Sequence, residues 1–166
     1  MIRSVTANDC KAIADIYNNF VLNSTATFEI VPLSYNEMRA RIETLSESYP
    51  YFVCELDGEI AGYCYAHAWK DRAAYSKTLE TTVYIAEKFQ GRGIGTALIS
   101  QLIDECRARG VEVLVACITA ENQASCAIHR KLGFKQASFF EKVGIKFGRH
   151  LDVVDFTLHL TDPALT

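Results

Sequence analysis

Apolar residues recur along this chain with two periods, and the switches between them mark its elements. Ile13, Ile16, Tyr17 and Phe20 fall on one helical face behind Thr6-x-x-Asp9, which reads as a capping box. Ser34-Tyr35-Asn36-Glu37 is a second capping box, opening a helix with Met38, Ile42 and Leu45 inward. Residues 2–5 read as a short first strand, and 51–56 and 59–68 as strands joined by the hairpin signal Asp57-Gly58. A further strand spans about 78–86. Beyond it Ile94, Ala97, Leu98, Leu102 and Cys106 return to helical spacing, with Gly110 as the stop. Residues 112–118 form a strongly apolar strand, 122–132 a helix closed by Gly133, and strands follow near 134–143 and 152–159. The order βααβββαβαββ predicts one α/β domain over residues 1–166, built on a mixed sheet.

The segment Gln90-Gly91-Arg92-Gly93-Ile94-Gly95-Thr96 lies between the strand near 78–86 and the helix after it. Glycines let a backbone approach closely, first-turn N–H groups lack intrahelical partners, and the helix dipole favours an anion there. The segment is therefore a candidate phosphate cradle. It has no Lys before Gly95-Thr96, unlike a P-loop, and its glycines miss the G-x-G-x-x-G dinucleotide spacing.

Composition narrows the partners. A 166-residue chain with 49% hydrophobic residues suits one domain with a substantial core. A net charge of −3, with basic residues scattered, gives no reason to expect nucleic acid or an anionic membrane. No signal-peptide pattern or membrane-spanning run stands out, so a cytoplasmic protein is expected. Cys10, Cys54, Cys64, Cys106, Cys117 and Cys126 form no C-x-x-C pair and read as buried reduced thiols. Cys126 lies nearest the candidate site, where packing is again the expected role. His67 and His159 read as structural, His150 stays open, and no histidine spacing suggests a metal.

The loop and the element order together resemble the GCN5-related N-acetyltransferase (GNAT) superfamily over nearly the whole chain. Asn122-x-x-Ser125-x-x-x-His129-Arg130-Lys131-Leu132-Gly133-Phe134 resembles a second superfamily segment. More closely, the phosphinothricin and methionine sulfone/sulfoximine N-acetyltransferase subfamily is resembled by several separated stretches. These are 23–29 (NSTATFE), 69–75 (WKDRAAY), 80–85 (ETTVYI), Ile128-His129 with Leu132-Gly133-Phe134, and 143–149 (VGIKFGR). His150 stands where that subfamily usually has Trp, and Arg130 where it often has an acidic residue.

The resemblance implies a single-domain GNAT fold, a mixed, mostly antiparallel sheet flanked by helices. It implies acetyl-CoA as donor, no metal, and a small amino-acid-like acceptor such as phosphinothricin, methionine sulfoximine or methionine sulfone. Other small amines or a peptide N-terminus are the alternatives, and a non-catalytic acyl-CoA sensor a third. A homodimer is also implied. Spacing alone leaves Glu80 either a solvated strand carboxylate or a site group; the resemblance makes it the general base. His129 likewise reads as a packed helix-face histidine, and the resemblance makes it a proton shuttle. For the cofactor the resemblance implies the backbone of Val83, Tyr84 and Ile85 along the pantetheine arm. It adds Gln90, Gly91, Arg92, Gly93, Ile94, Gly95 and Thr96 at the pyrophosphate, and Asn122 and Ser125 near the arm. For the acceptor it implies Arg72 as carboxylate clamp, Phe28 and Tyr75 as walls, and Lys146 as added positive potential. Arg149 shares that role with Lys146, and Thr27 and Glu29 are secondary candidates.

Overall fold

The computed structural model describes residues 1–161, so the last five residues of the expected 1–166 domain lie outside the described ones. Its elements are β1 (Ile2–Ser4), α1 (Cys10–Asn23), α2 (Tyr35–Ser48), β2 (Tyr51–Leu56), β3 (Glu59–Ala68) and β4 (Thr78–Ile85). They continue as α3 (Ile94–Ala108), β5 (Val113–Thr119), α4 (Gln123–Lys131), β6 (Lys135–Lys146) and β7 (Arg149–His159). The helix starts follow the caps. Ser34 Oγ accepts from the Glu37 N–H at 3.2 Å while the Glu37 carboxylate accepts from the Ser34 N–H at 2.7 Å. At the first box the Thr6 N–H donates to Asp9 at 2.8 Å, and a 3-10 turn over Ala7–Asp9 delays α1 to Cys10. Asp57 and Gly58 make the expected tight turn, with φ of +51° and +78°.

The sheet order is β1-β2-β3-β4-β5-β7-β6, and only β4 and β5 run parallel. Two cores flank it. On one face α3 buries Leu98, Ile99, Leu102 and Cys106 against Leu114, Ala116 and Phe156. On the other, Ile13, Tyr17 and Val21 of α1 and Met38 and Ile42 of α2 pack on Val53 and Tyr63. Each fully buried Leu or Ile contributes on the order of 2 kcal/mol to holding these layers together.

The last two strands are longer than the pattern near 134–143 and 152–159. They meet at a tight turn in which Phe147 (φ +52°) precedes Gly148 (φ +73°). A bulge between Phe140 and Gly144 interrupts their pairing, with Lys142 at φ +54° and its N–H donating to Asp152 at 2.8 Å. Phe139, Phe140, Val143, Ile145 and Phe147 stay exposed on this hairpin, whose strand β6 is one of the two sheet edges. Five cysteines are buried as expected. Cys117 is the correction, because strand alternation turns it outward between buried Ala116 and Ile118. Among the described residues no helix is long and apolar enough to cross a membrane.

Candidate active site

The site begins where two strands part. Parallel pairing of β4 with β5 covers only Thr78, Leu79 and Glu80 opposite Val113, Leu114 and Val115. Past Glu80, β4 stays paired with β3 through Ile85, while its other edge faces a gap. Pairing alternates along a strand. The Ala86 N–H donates to Ala61 at 2.9 Å, so the backbone groups of Tyr84 and Thr82 turn to β3. Those of Val83 and Ile85 therefore turn to the open side, where an extended ligand can pair with them. For Tyr84 this amends the expectation: its backbone is engaged with β3, and the residue meets the cleft otherwise.

Two connected cavities fill the gap. The larger, about 1050 Å³, is lined by Val83, Tyr84, Ile85, Gln90, Gly91, Gly93, Ile94, Gly95, Thr96, Asn122 and Ser125, as expected for cofactor contacts. At its floor, Gly91 (φ +74°) and Gly93 (φ +78°) adopt the left-handed conformation that glycine tolerates. They deliver the chain into α3 with no acidic residue in the first turn and no side-chain cap on Gly93. The N–H groups of Ile94, Gly95 and Thr96 precede the first intrahelical acceptor bond, made by Ala97 to Gly93 at 3.1 Å. These features fit a pyrophosphate. Gly95 serves packing: a Cβ there would meet Ile128 Cδ1 at 3.1 Å.

Arg92 departs from expectation. Its guanidinium stacks 5.3 Å from the Phe89 ring and does not line the cleft. Lys131, by contrast, lines it without having been singled out, as do Asn19, Phe20 and Asn23 of α1. The helical spacing of Ala124, Ile128 and Lys131 was the signal available for that face.

The smaller cavity, about 260 Å³, shares Ala26, Val83, Tyr84, Asn122 and Ser125 with the first and adds Phe28, Glu80, Cys117, Thr119 and His129. It thus brings together both expected catalytic side chains. Burial raises the Glu80 carboxyl above the ordinary glutamate value; His67 opposes the shift and Asp155 adds to it. His129 is only 3% exposed and packs edge-on to Phe134. Its Nδ1 lies 2.8 Å from the Ser125 carbonyl, which can only accept, so Nδ1 carries the hydrogen and Nε2 is bare. Burial lowers the His129 pKa, partly offset by that bond, so the ring is a neutral proton acceptor. Asn122 caps α4 by accepting from the Ser125 N–H at 3.2 Å. Cys117 opens onto the same cavity. The protein packed round its sulfur, then Asp155 and Glu80, push its thiol up to about 12, which makes it a poor nucleophile.

The expected acceptor residues divide. Phe28 lines the cavity with its ring against Gly144, where a Cβ would fall 2.3 Å from the ring. Lys146 is a correction. Its Nζ is spent on backbone carbonyls, donating to Ser24 at 2.6 Å, Thr27 at 2.8 Å and Phe20 at 3.5 Å. It fastens the cleft-lining segment after α1 and does not line the cavity. Arg72 and Tyr75 are not brought there either. Arg72 leads an exposed 3-10 turn (Ala73–Tyr75), and Tyr75 packs edge-on to Trp69 beneath the Lys70 ammonium. Arg149 is neutralised by Glu121 through bonds of 2.8 and 2.7 Å, and Glu29 is held by Arg41. Among the described residues no three His, Cys, Asp or Glu side chains gather as metal ligands would.

The family model described as an Acetyltransferase (GNAT) domain matches residues 2–154. A phosphinothricin N-acetyltransferase of Alcaligenes faecalis is 42% identical over 92% of this chain and 79% of its own length. An L-methionine sulfoximine/L-methionine sulfone acetyltransferase of Salmonella typhimurium is 37% identical over 98% of this chain and 96% of its own. The crystal structure of a GNAT phosphinothricin acetyltransferase from Sinorhizobium meliloti, in complex with acetyl-CoA, superposes with a TM-score of 0.96 at 36% identity. That match covers 100% of this chain and 91% of the other. The open edge of β4 and the glycine cradle before α3 thus stand in a fold shared with these acetyltransferases, and the chain belongs to the GNAT family of acetyltransferases.

Proposed function

We propose that this protein transfers the acetyl group of acetyl-CoA to the α-amine of a small amino-acid analogue of the phosphinothricin, methionine sulfoximine or methionine sulfone type. One observation carries the reading. Glu80 and His129 line a cavity of about 260 Å³ that opens directly into the cleft suited to the cofactor. That volume suits a small amino acid and leaves little room for a long peptide.

The residues divide the chemistry by proton count. A primary ammonium loses two protons on becoming an amide. One must leave before the nitrogen can attack the thioester, and the departing thiolate takes up the equivalent of the second. Glu80, ionised, accepts the first. His129, neutral with Nε2 bare, accepts the second and hands it to the sulfur. Val83 and Ile85 hold the pantetheine arm, and the N–H groups of Ile94, Gly95 and Thr96 hold the pyrophosphate, with Lys131 adding charge. Arg72 makes no ion pair among the described residues. It is carried, with Tyr75, on the exposed loop feeding β4 outside the cavity, and its fork is assigned to the acceptor carboxylate with that loop folded over the cavity mouth. Phe28 walls the side-chain pocket.

The enzyme works in the cytoplasm as one catalytic domain, removing toxic glutamate-like amino acids. It does so as a homodimer, with the exposed apolar face of β6 and its turn covered by a second copy. Sedimentation of the purified chain tests the dimer; a monomer at micromolar concentration refutes it.

The function is tested by mass spectrometry of products after incubation with acetyl-CoA and a panel of amines. The panel holds phosphinothricin, methionine sulfoximine, methionine sulfone, common amino acids and short peptides. A mass gain confined to the analogues supports the reading. Acetylation of ordinary amines or peptides instead reassigns the acceptor, and cofactor binding without any product makes the protein a sensor.

A further inference from the structure

Glu80 has a neighbour that acetyl transfer has not used. His67 lies opposite it in the β3–β4 register, with Nε2 3.9 Å from Glu80 Oε1. Its Nδ1 is 2.9 Å from the Ala68 carbonyl, which fixes the hydrogen on Nδ1 and leaves Nε2 bare towards the carboxylate. The two residues face different spaces. Glu80 lines the acceptor cavity, whereas His67 lines a groove of about 490 Å³ with Ala40, Arg41, Thr44, Leu45 and Tyr65. Among the described residues none lines both, and the pair, side by side on one face of the sheet, joins the two spaces.

That placement answers a need created by the proposed reaction, on which this inference rests. Each turnover leaves one proton on Glu80, whose side chain is 28% exposed and lines the cavity that the acceptor would fill. We infer that His67 is a positioning residue that passes this proton out of the acceptor cavity into the groove beside α2. Glu80 Oε–H releases its proton to His67 Nε2, giving a carboxylate and an imidazolium. The imidazolium then releases the Nε2 proton to water in the groove, and both groups return to their starting forms.

The other groups around the pair leave this route open. Facing Glu80 are Cys117 of β5, a poor proton acceptor in an acidic setting, and Asp155 of β7, which accepts a hydrogen bond from Ser138 Oγ at 2.9 Å. Facing His67 are Tyr65, 5.9 Å away ring to ring, and Arg41 of α2. The Arg41 charge is matched by Glu29 through bonds of 2.8 and 3.0 Å, so it does not oppose a transient imidazolium at full strength. The His67 side chain is 32% exposed, enough for water to reach it.

The test compares the parent enzyme with His67→Ala and His67→Gln at saturating acceptor, with and without imidazole in the buffer. Both variants are expected to lose roughly tenfold in kcat, with acetyl-CoA affinity unchanged within about twofold. Added imidazole, entering the groove, is expected to restore His67→Ala and leave the parent unaffected. Parent-like kcat in both variants overturns the relay. So does a loss in His67→Ala that glutamine repairs and imidazole does not, since that marks a structural role. No turnover by the parent with any amine overturns the acetyl-transfer reading and this inference together; a working parent with unaltered variants overturns the relay alone.

Discussion

Replacing Lys146 by methionine separates two accounts of one residue. An acceptor contact would be lost with little effect on folding. The structure instead buries the residue, 3% exposed, and places its ammonium on the carbonyls of Ser24, Thr27 and Phe20 at 2.6, 2.8 and 3.5 Å. Methionine keeps most of the volume but donates nothing. A hydrogen bond to a charged group is worth about 1.5 to 3 kcal/mol on deletion, and three bonds to one donor do not add. Allowing for the burial cost that the lysine itself bears, the loss comes to about 3 kcal/mol. In a domain of this size that lowers the melting midpoint by roughly 6 to 12 °C. The segment Ala26–Phe28 also walls the acceptor cavity, so acceptor KM should rise while acetyl-CoA affinity changes less. Urea unfolding and steady-state kinetics on the same preparation provide the check. An unchanged unfolding midpoint with a raised acceptor KM would refute the structural account and return Lys146 to the acceptor pocket.

Gly144→Ala should push the Phe28 ring into the cavity, because the added Cβ falls 2.3 to 3.0 Å from three ring atoms. Phe28 is 42% exposed, so the fold should survive while acceptor KM rises; calorimetry with acetyl-CoA should find its affinity unaltered. Arg72→Ala should raise acceptor KM roughly tenfold with kcat nearly unchanged, and an unaltered KM would remove Arg72 from the acceptor site. The pH profile follows from Glu80. Burial raises its pKa, and only the ionised form accepts a proton, so kcat/KM should fall as pH drops through that raised value. The acidic limb should therefore lie above about 4.3, the value of an ordinary glutamate; a limb at or below it would contradict the assignment.

The capping boxes at Thr6 and Ser34 and the Asp57-Gly58 turn were legible in the sequence because their side chains act within four residues of themselves. The glycine cradle was legible for the same reason, as was the pairing of Glu80 with His129 once the family resemblance joined strand to helix. What depends on distant packing was not. Nothing local to Lys146 reveals that its ammonium meets carbonyls more than a hundred residues earlier. Phe147 is no turn former, so the hairpin it shares with Gly148 left the last strands too short in the sequence pattern. Arg72 was expected at the acceptor from the stretch 69–75, yet the loop holds it on the surface. His67 read as structural because its apolar neighbours gave no hint of the cross-strand carboxylate.

The central claim is that Glu80 is the base for acetyl transfer, and Glu80→Gln tests it most directly. The substitution keeps the shape and removes the charge. Acetyl-CoA affinity, measured by calorimetry, should stay within about twofold while kcat for the acetylated amine falls by roughly a hundredfold or more. Parent-like turnover, or equal losses in turnover and cofactor affinity, would contradict the account.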